Sequence, residues 1–174
     1  VLVPAATFWQ GCRDDLNGAW SCDSDETPQH EVHLTSYGIG VHEVTQAEYQ
    51  GFVDDTGHRE PSCDWDPSGT PDHPVVCVSW GDLRAYCRWA GGDLPTEAQW
   101  EHAARGPMAD ADDYAAFPWG SNEIDCEHAV IDEGGDGCGT GGTWPVCSKR
   151  AGGSPFGLCD LAGNVWEWCL DRYD

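Results

Sequence analysis

Leu94-Pro95-Thr96-Glu97-Ala98-Gln99-Trp100-Glu101-His102-Ala103-Ala104-Arg105-Gly106 carries the signals that settle how this chain folds. Thr96 followed three residues later by Gln99 is a capping box, in which side chains at both ends satisfy backbone N–H groups that a helix start leaves unpaired. Trp100, Ala103 and Ala104 then fall on one face, and Gly106 supplies a stop. Working back along the chain, the device recurs twice. Ser79 stands three residues before Asp82, and Leu83, Tyr86, Cys87 and Ala90 follow at i, i+3, i+4 and i+7 before Gly91-Gly92 ends the helix. Thr45 with Glu48 opens another, burying Tyr49, Phe52 and Val53. Further upstream, Val32, Leu34 and Ser36 alternate with His33, Thr35 and Tyr37, a strand with one wetter face. Beyond Gly106 the periodicity disappears into Gly-, Pro- and Asp-rich loops, which need disulfides or metal ions to hold them.

Composition narrows the class. The 174 residues fit one domain, and ten Trp provide ample apolar surface for a core. Eight basic residues against 31 acidic ones give a net charge of −23, which repels a phosphate backbone and an anionic membrane surface alike. No apolar run approaches the ~18 residues of a membrane-spanning helix, so neither nucleic acid nor membrane insertion is expected. The chain opens directly on Val1-Leu2-Val3-Pro4, so an export signal is expected to lie outside it.

Ten Cys and a single Lys in so acidic a chain read as a disulfide framework from an oxidising compartment, extracellular or periplasmic. Zinc is disfavoured because no Cys-x2-Cys or Cys-x4-Cys pair occurs. Short-range closure suggests Cys12 with Cys22, Cys63 with Cys77 and Cys126 with Cys138, while Cys87, on an apolar helix face, suits a buried free thiol.

Other motifs carry less. His30 and His33 lie three apart on a strand and face opposite sides, so they do not share an ion. Gly134-Gly135-Asp136-Gly137-Cys138-Gly139 lacks the Gly-Lys-Ser/Thr of a phosphate cradle and reads as a loop. No Gly-x-Ser-x-Gly elbow supports a hydrolase. Trp166 and Trp168 read first as core filling, with a ligand platform as the alternative. Asp160 to Glu167 concentrates oxygen ligands around a Gly-permitted turn, the chemistry a hard cation such as calcium needs.

Taken together, several blocks resemble the formylglycine-generating enzyme (sulfatase-modifying factor) family. They are His73-Pro74-Val75-Val76-Cys77-Val78-Ser79-Trp80, Ala85-Tyr86-Cys87-Arg88-Trp89-Ala90-Gly91, Leu94 to Glu101, Phe117-Pro118-Trp119-Gly120 and Ala162-Gly163-Asn164-Val165-Trp166-Glu167-Trp168. They occur in the family's order along the whole chain. The resemblance implies a C-type-lectin-like α+β fold with little regular secondary structure, loop-rich and supported by disulfides. It implies one domain over residues 1–174 that lacks the family's C-terminal segment. It places a structural calcium on the side chains of Asp160 and Glu167 and the carbonyls of Gly163 and Val165. A second family site begins with an Asn that falls on Val130, whose side chain cannot ligate; Asp132 or Asp136 could compensate.

The family's enzymes oxidise a sulfatase cysteine to formylglycine with copper(I) on two cysteines, and the resemblance places that pair downstream of this chain. No catalytic or cofactor-binding residue is therefore assigned here. The expectation is an exported, non-catalytic, calcium-stabilised binding or scaffold module whose partner is a sulfatase-like protein or peptide, or another ligand. The alternative is a partial formylglycine-generating oxidase, with copper only where a downstream catalytic segment exists. An iron-dependent sulfoxide synthase on the same fold would need a His triad from a further helical domain, which nothing here supplies.

Overall fold

The computed structural model describes residues 1–16, 21–108, 110–120, 123–132 and 136–172. The chain starts with two short strands, β1 (Leu2–Val3) and β2 (Ala6–Gln10), which return as β3 (His30–Leu34) and β4 (Tyr37–Gly38). Pairing is antiparallel, β2 with β3 from Ala6↔Leu34 to Gln10↔His30 and β1 with β4 at Val3↔Tyr37, so one long hairpin is split at its middle. Val32 and Leu34 are half-buried while Glu31 and His33 are exposed, as the alternation requires. Phe8 and Val3 carry the inner face and are fully buried.

Three helices follow: α1 (Gln46–Thr56), α2 (Trp80–Trp89) and α3 (Glu97–Arg105). All three begin with complete capping boxes, Thr45 with Glu48, Ser79 with Asp82 and Thr96 with Gln99. α1 and α3 bury the faces their spacing predicts, Tyr49 and Phe52 in one and Ala103 and Ala104 in the other.

In α2 the outcome differs. Leu83, Tyr86 and Cys87 are only half-buried and Ala90 is exposed, because this face borders an open cleft. The buried member of α2 is instead a carboxylate, Asp82. It accepts hydrogen bonds from Ser79 N (2.9 Å), Arg59 Nε (2.9 Å) and His58 Nε2 (3.0 Å). Those partners hold its carboxyl well below the usual range, the Arg59 bonds most of all.

Two cores result. One gathers Tyr49, Phe52 and Val75, with Tyr86 stacked on Tyr49 at 5.8 Å and Trp65 edge-on at 5.9 Å. The other packs Ala103 and Ala104 of α3 against Leu158 and Leu161, with Phe156, Trp100 and Ile39 at its margin. Beyond Arg105 the only regular element among the described residues is one 3₁₀ turn, Arg150–Gly152. No helix of the described chain is long and apolar enough to cross a membrane.

Four disulfides take over where regular structure ends: Cys12–Cys22, Cys63–Cys77, Cys126–Cys138 and Cys147–Cys159. The three pairings expected from short-range closure all form. Cys87 is unpaired, as its helix position suggests, and Cys169 is unpaired too.

Candidate functional site

Residues 160–168 form an irregular loop coiled on itself by three residues with positive φ: Asp160 (60°), Gly163 (90°) and Asn164 (61°). Asp and Asn tolerate this region better than other side chains do. Gly163 has no substitute, since a Cβ there would lie 2.4 Å from the Val130 carbonyl oxygen. That same oxygen accepts the Asn164 N–H at 2.8 Å. Asp160 Oδ2 accepts the backbone N–H of Cys147 at 2.5 Å, so the Cys147–Cys159 bridge and this bond hold one corner together. Asn164 spans the loop's other side, its Oδ1 accepting Trp144 N–H at 2.9 Å.

Sequence reasoning missed one member. Glu43, just before the α1 cap, is buried and reaches across 121 positions to accept the Asn164 amide at 2.7 Å. Its other oxygen accepts Val165 N–H at 3.3 Å. The only sequence signal was its place beside Val44 and Thr45, which says nothing of a partner so distant. Burial, then the Asp160 and Glu167 charges, push Glu43 up to about 9, against the bonds from Asn164 and Val165. Asp160 is raised by burial, against the Cys147 N–H and His42. Glu167 is pushed up to about 7 by burial and by Asp160, with Trp100 acting in the opposite sense.

Glu167 is exposed as a residue, while the protein around its carboxylate disfavours the charged form. It lines the wall of a cleft of about 640 Å³, where water reaches it but protein surrounds it. The buried Trp100 Nε1 makes no hydrogen bond of normal geometry, so it favours the Glu167 anion from close by rather than pairing with it. None of Glu43, Asp160 and Glu167 enters an ion pair among the described residues.

Three mutually repelling carboxylates with no Lys or Arg against them are stabilised by protons or by a hard cation. Their oxygens do not all converge within 4.8 Å of one another. Both Glu43 oxygens are engaged by the loop, through Asn164 and Val165, which makes Glu43 its brace. Two clusters that do converge, Cys12–Cys22–Glu26 and Cys63–Asp64–Cys77, use sulfurs already consumed in disulfides.

The cleft is walled by Leu83, Tyr86 and Cys87 of α2 and by Leu94 and Leu158, with Glu43, Glu48, Asp93 and Glu167 among its lining and no Lys or Arg. Trp166 and Trp168 stand at its margin. Trp166 is fully exposed and Trp168 is 48% exposed, which corrects the expectation that both fill a core. The left-handed turns at Gly163 and Asn164 swing the chain outward here, so the helix-like or strand-like burial of an apolar residue does not apply.

At the second candidate position Val130 is buried and its carbonyl is engaged by Asn164, while Asp132 is exposed. Asp136 accepts the N–H groups of Gly139 and Gly141 as a turn former. Gly134 and Gly135 lie outside the described residues. His30 and His33 sit on β3, His33 against Thr7 and Glu31. Burial pushes both free thiols up, Cys169 to about 12, so neither offers a thiolate at neutral pH.

This fold and loop define a class: the whole of residues 1–174 matches the sulfatase-modifying factor enzyme 1-like domain, and the chain belongs to that family. Among its relatives is the formylglycine-generating enzyme of Thermomonospora curvata, 48% identical over 98% of this chain and 70% of that protein. The formylglycine-generating enzyme of Streptomyces coelicolor is 34% identical over 99% and 68%. The hercynine oxygenase of Mycolicibacterium smegmatis is 35% identical over 97% of this chain but only 44% of its own length. The crystal structure of CarF shares the fold, with a TM-score of 0.68 at 22% identity over the full chain and 80% of that structure.

Proposed function

We propose that this chain is a calcium-stabilised, non-catalytic binding or scaffold module of its family, exported to an extracellular or periplasmic setting, with a sulfatase-like protein or peptide as its partner. The observation that carries this reading is the cysteine inventory. Eight of the ten cysteines are bridged, and Cys87 and Cys169 are raised thiols not paired with each other, so the described residues offer no two-thiolate site for copper(I). Four bridges also favour an oxidising compartment.

The residues present fit calcium. Asp160 and Glu167 would hold it by side chain and Gly163 and Val165 by carbonyl, with Glu43 bracing Asn164 and Val165 from outside. A bound hard cation supplies positive charge where Asp160 and Glu167 repel each other. Calcium at about a hundredfold over its dissociation constant should raise the melting temperature by roughly 5–10 °C. Glu167→Ala should abolish most of that rise; an equal rise in the variant would remove the calcium reading.

The second reading, a partial formylglycine-generating oxidase with its copper cysteines outside this chain, is favoured by the relatives, of which the chain spans 44% to 70%. Incubation with a Cys-x-Pro-x-Arg peptide, copper(I) and oxygen tests whether residues 1–174 hold an active site, and the same assay on a chain extended past Asp174 separates the two readings, aldehyde product there favouring the oxidase. An unchanged peptide mass is expected from this chain. Aldehyde product, lost on mutating one of its cysteines, would overturn the non-catalytic assignment.

A further inference from the structure

We propose that His102 is an acid-triggered release built into the core, a neutral imidazole that must leave its pocket when it takes up a proton. The ring belongs to α3 and is fully buried. Tyr37 OH donates to the Gln99 carbonyl at 2.7 Å, so the contact between Tyr37 oxygen and His102 Nδ1 at 3.1 Å requires Nδ1 to be the donor. Nε2 is left as a bare lone pair, buried and without a partner. That arrangement is tolerable, because a buried unpaired acceptor is less costly than a buried unpaired N–H. Protonation puts a hydrogen on Nε2 and creates the worse case together with a buried charge.

No charged group faces the ring from any element packed on it. Phe8 of β2 lies at 5.0 Å between centroids, Phe156 of the loop before Leu158 at 5.3 Å, and Tyr37 of β4 at 6.2 Å. Tyr37 is the titratable one among them, and burial pushes its hydroxyl up to about 12, so it stays neutral. On α3 itself Glu101 and Arg105 pair with each other and turn to Gly11, which donates its N–H to Glu101 and accepts from Arg105. Burial accordingly lowers the His102 basicity.

The pocket joins three parts of the chain, so expelling the ring separates α3 from the N-terminal hairpin and from the loop at Phe156 together. The sign follows from linkage. Folded His102 resists the proton that the unfolded chain accepts near pH 6.5, so stability is level above that value and falls as pH drops below it. The other six of the seven histidines are exposed or half-buried.

The test uses the full chain. Denaturant unfolding from pH 8 to pH 5 is compared between the parent and His102→Phe, which keeps an aromatic ring and leaves Tyr37 bonded to Gln99. The parent's folding equilibrium constant, relative to the variant's, should decline towards tenfold per pH unit below 6.5. Parallel profiles would overturn the proposal. Should His102→Phe not fold, the ring nitrogen shifts of the parent decide by NMR. Persistence of the neutral Nδ1–H form until the fold opens supports it, and a titration near 6.5 within the folded state overturns it.

Discussion

Residues 1–106 and residues 107–172 reach order by opposite means. The first region builds three helices from capping boxes and seats α1 and α2 on an aromatic core that needs nothing from the second. The second, among its described residues, has a single 3₁₀ turn and is held by Cys126–Cys138, Cys147–Cys159 and the hydrogen bonds around Asn164. They meet at α3, whose Ala103 and Ala104 pack on Leu158 and Leu161, at Glu43, which accepts from Asn164 and Val165, and at Trp80 of α2, which donates to the Cys169 carbonyl. Local signals can specify a helix because its bonds join residues four apart. A loop of this length has no such ladder, so covalent closure and long-range polar contacts must replace it.

The contrast makes graded predictions. Replacing Cys147 and Cys159 together by Ser reopens a loop of 12-residue separation and should cost about 3 kcal/mol in chemical unfolding. Hydrogen exchange should accelerate first at Trp144, Asn164 and α3, with α1 and α2 spared. A uniform acceleration would mean that the two regions form one cooperative unit.

Asp82→Ala should cost about 2 kcal/mol, removing a helix cap and leaving Arg59 and His58 unpaired. Its effect should centre on α2. The pH dependence has a defined sign. Because folded Asp82 sits below the ordinary value of 3.8, its stabilisation is present above that pH and is lost as acid takes the pH beneath it. An acid limb equally steep in Asp82→Ala would contradict this.

Thr45→Ala should cost about 1 kcal/mol, the usual loss for an N-cap, since the Thr45–Glu48 box is complete. Protection should fall at the first turn of α1 and nowhere in residues 107–172. Disturbance of the Asn164 hydrogen bonds would instead tie this cap to the loop through neighbouring Glu43.

Much of the molecule was legible without coordinates. The starts of all three helices followed from Thr45, Ser79 and Thr96, because capping acts over three residues. Three disulfide pairings followed from short loop closure, and the same shortness made them independent of the rest of the fold. The family followed from blocks along the whole chain. Only tertiary structure could decide that α2 leaves Leu83, Tyr86 and Cys87 half-covered, that Trp166 stands fully in solvent, that Glu43 braces a loop 121 positions away, and that His102 is sealed among Phe8, Tyr37 and Phe156. Each of those outcomes depends on what another segment brings within contact distance, and residue type or spacing along the chain carries no record of that.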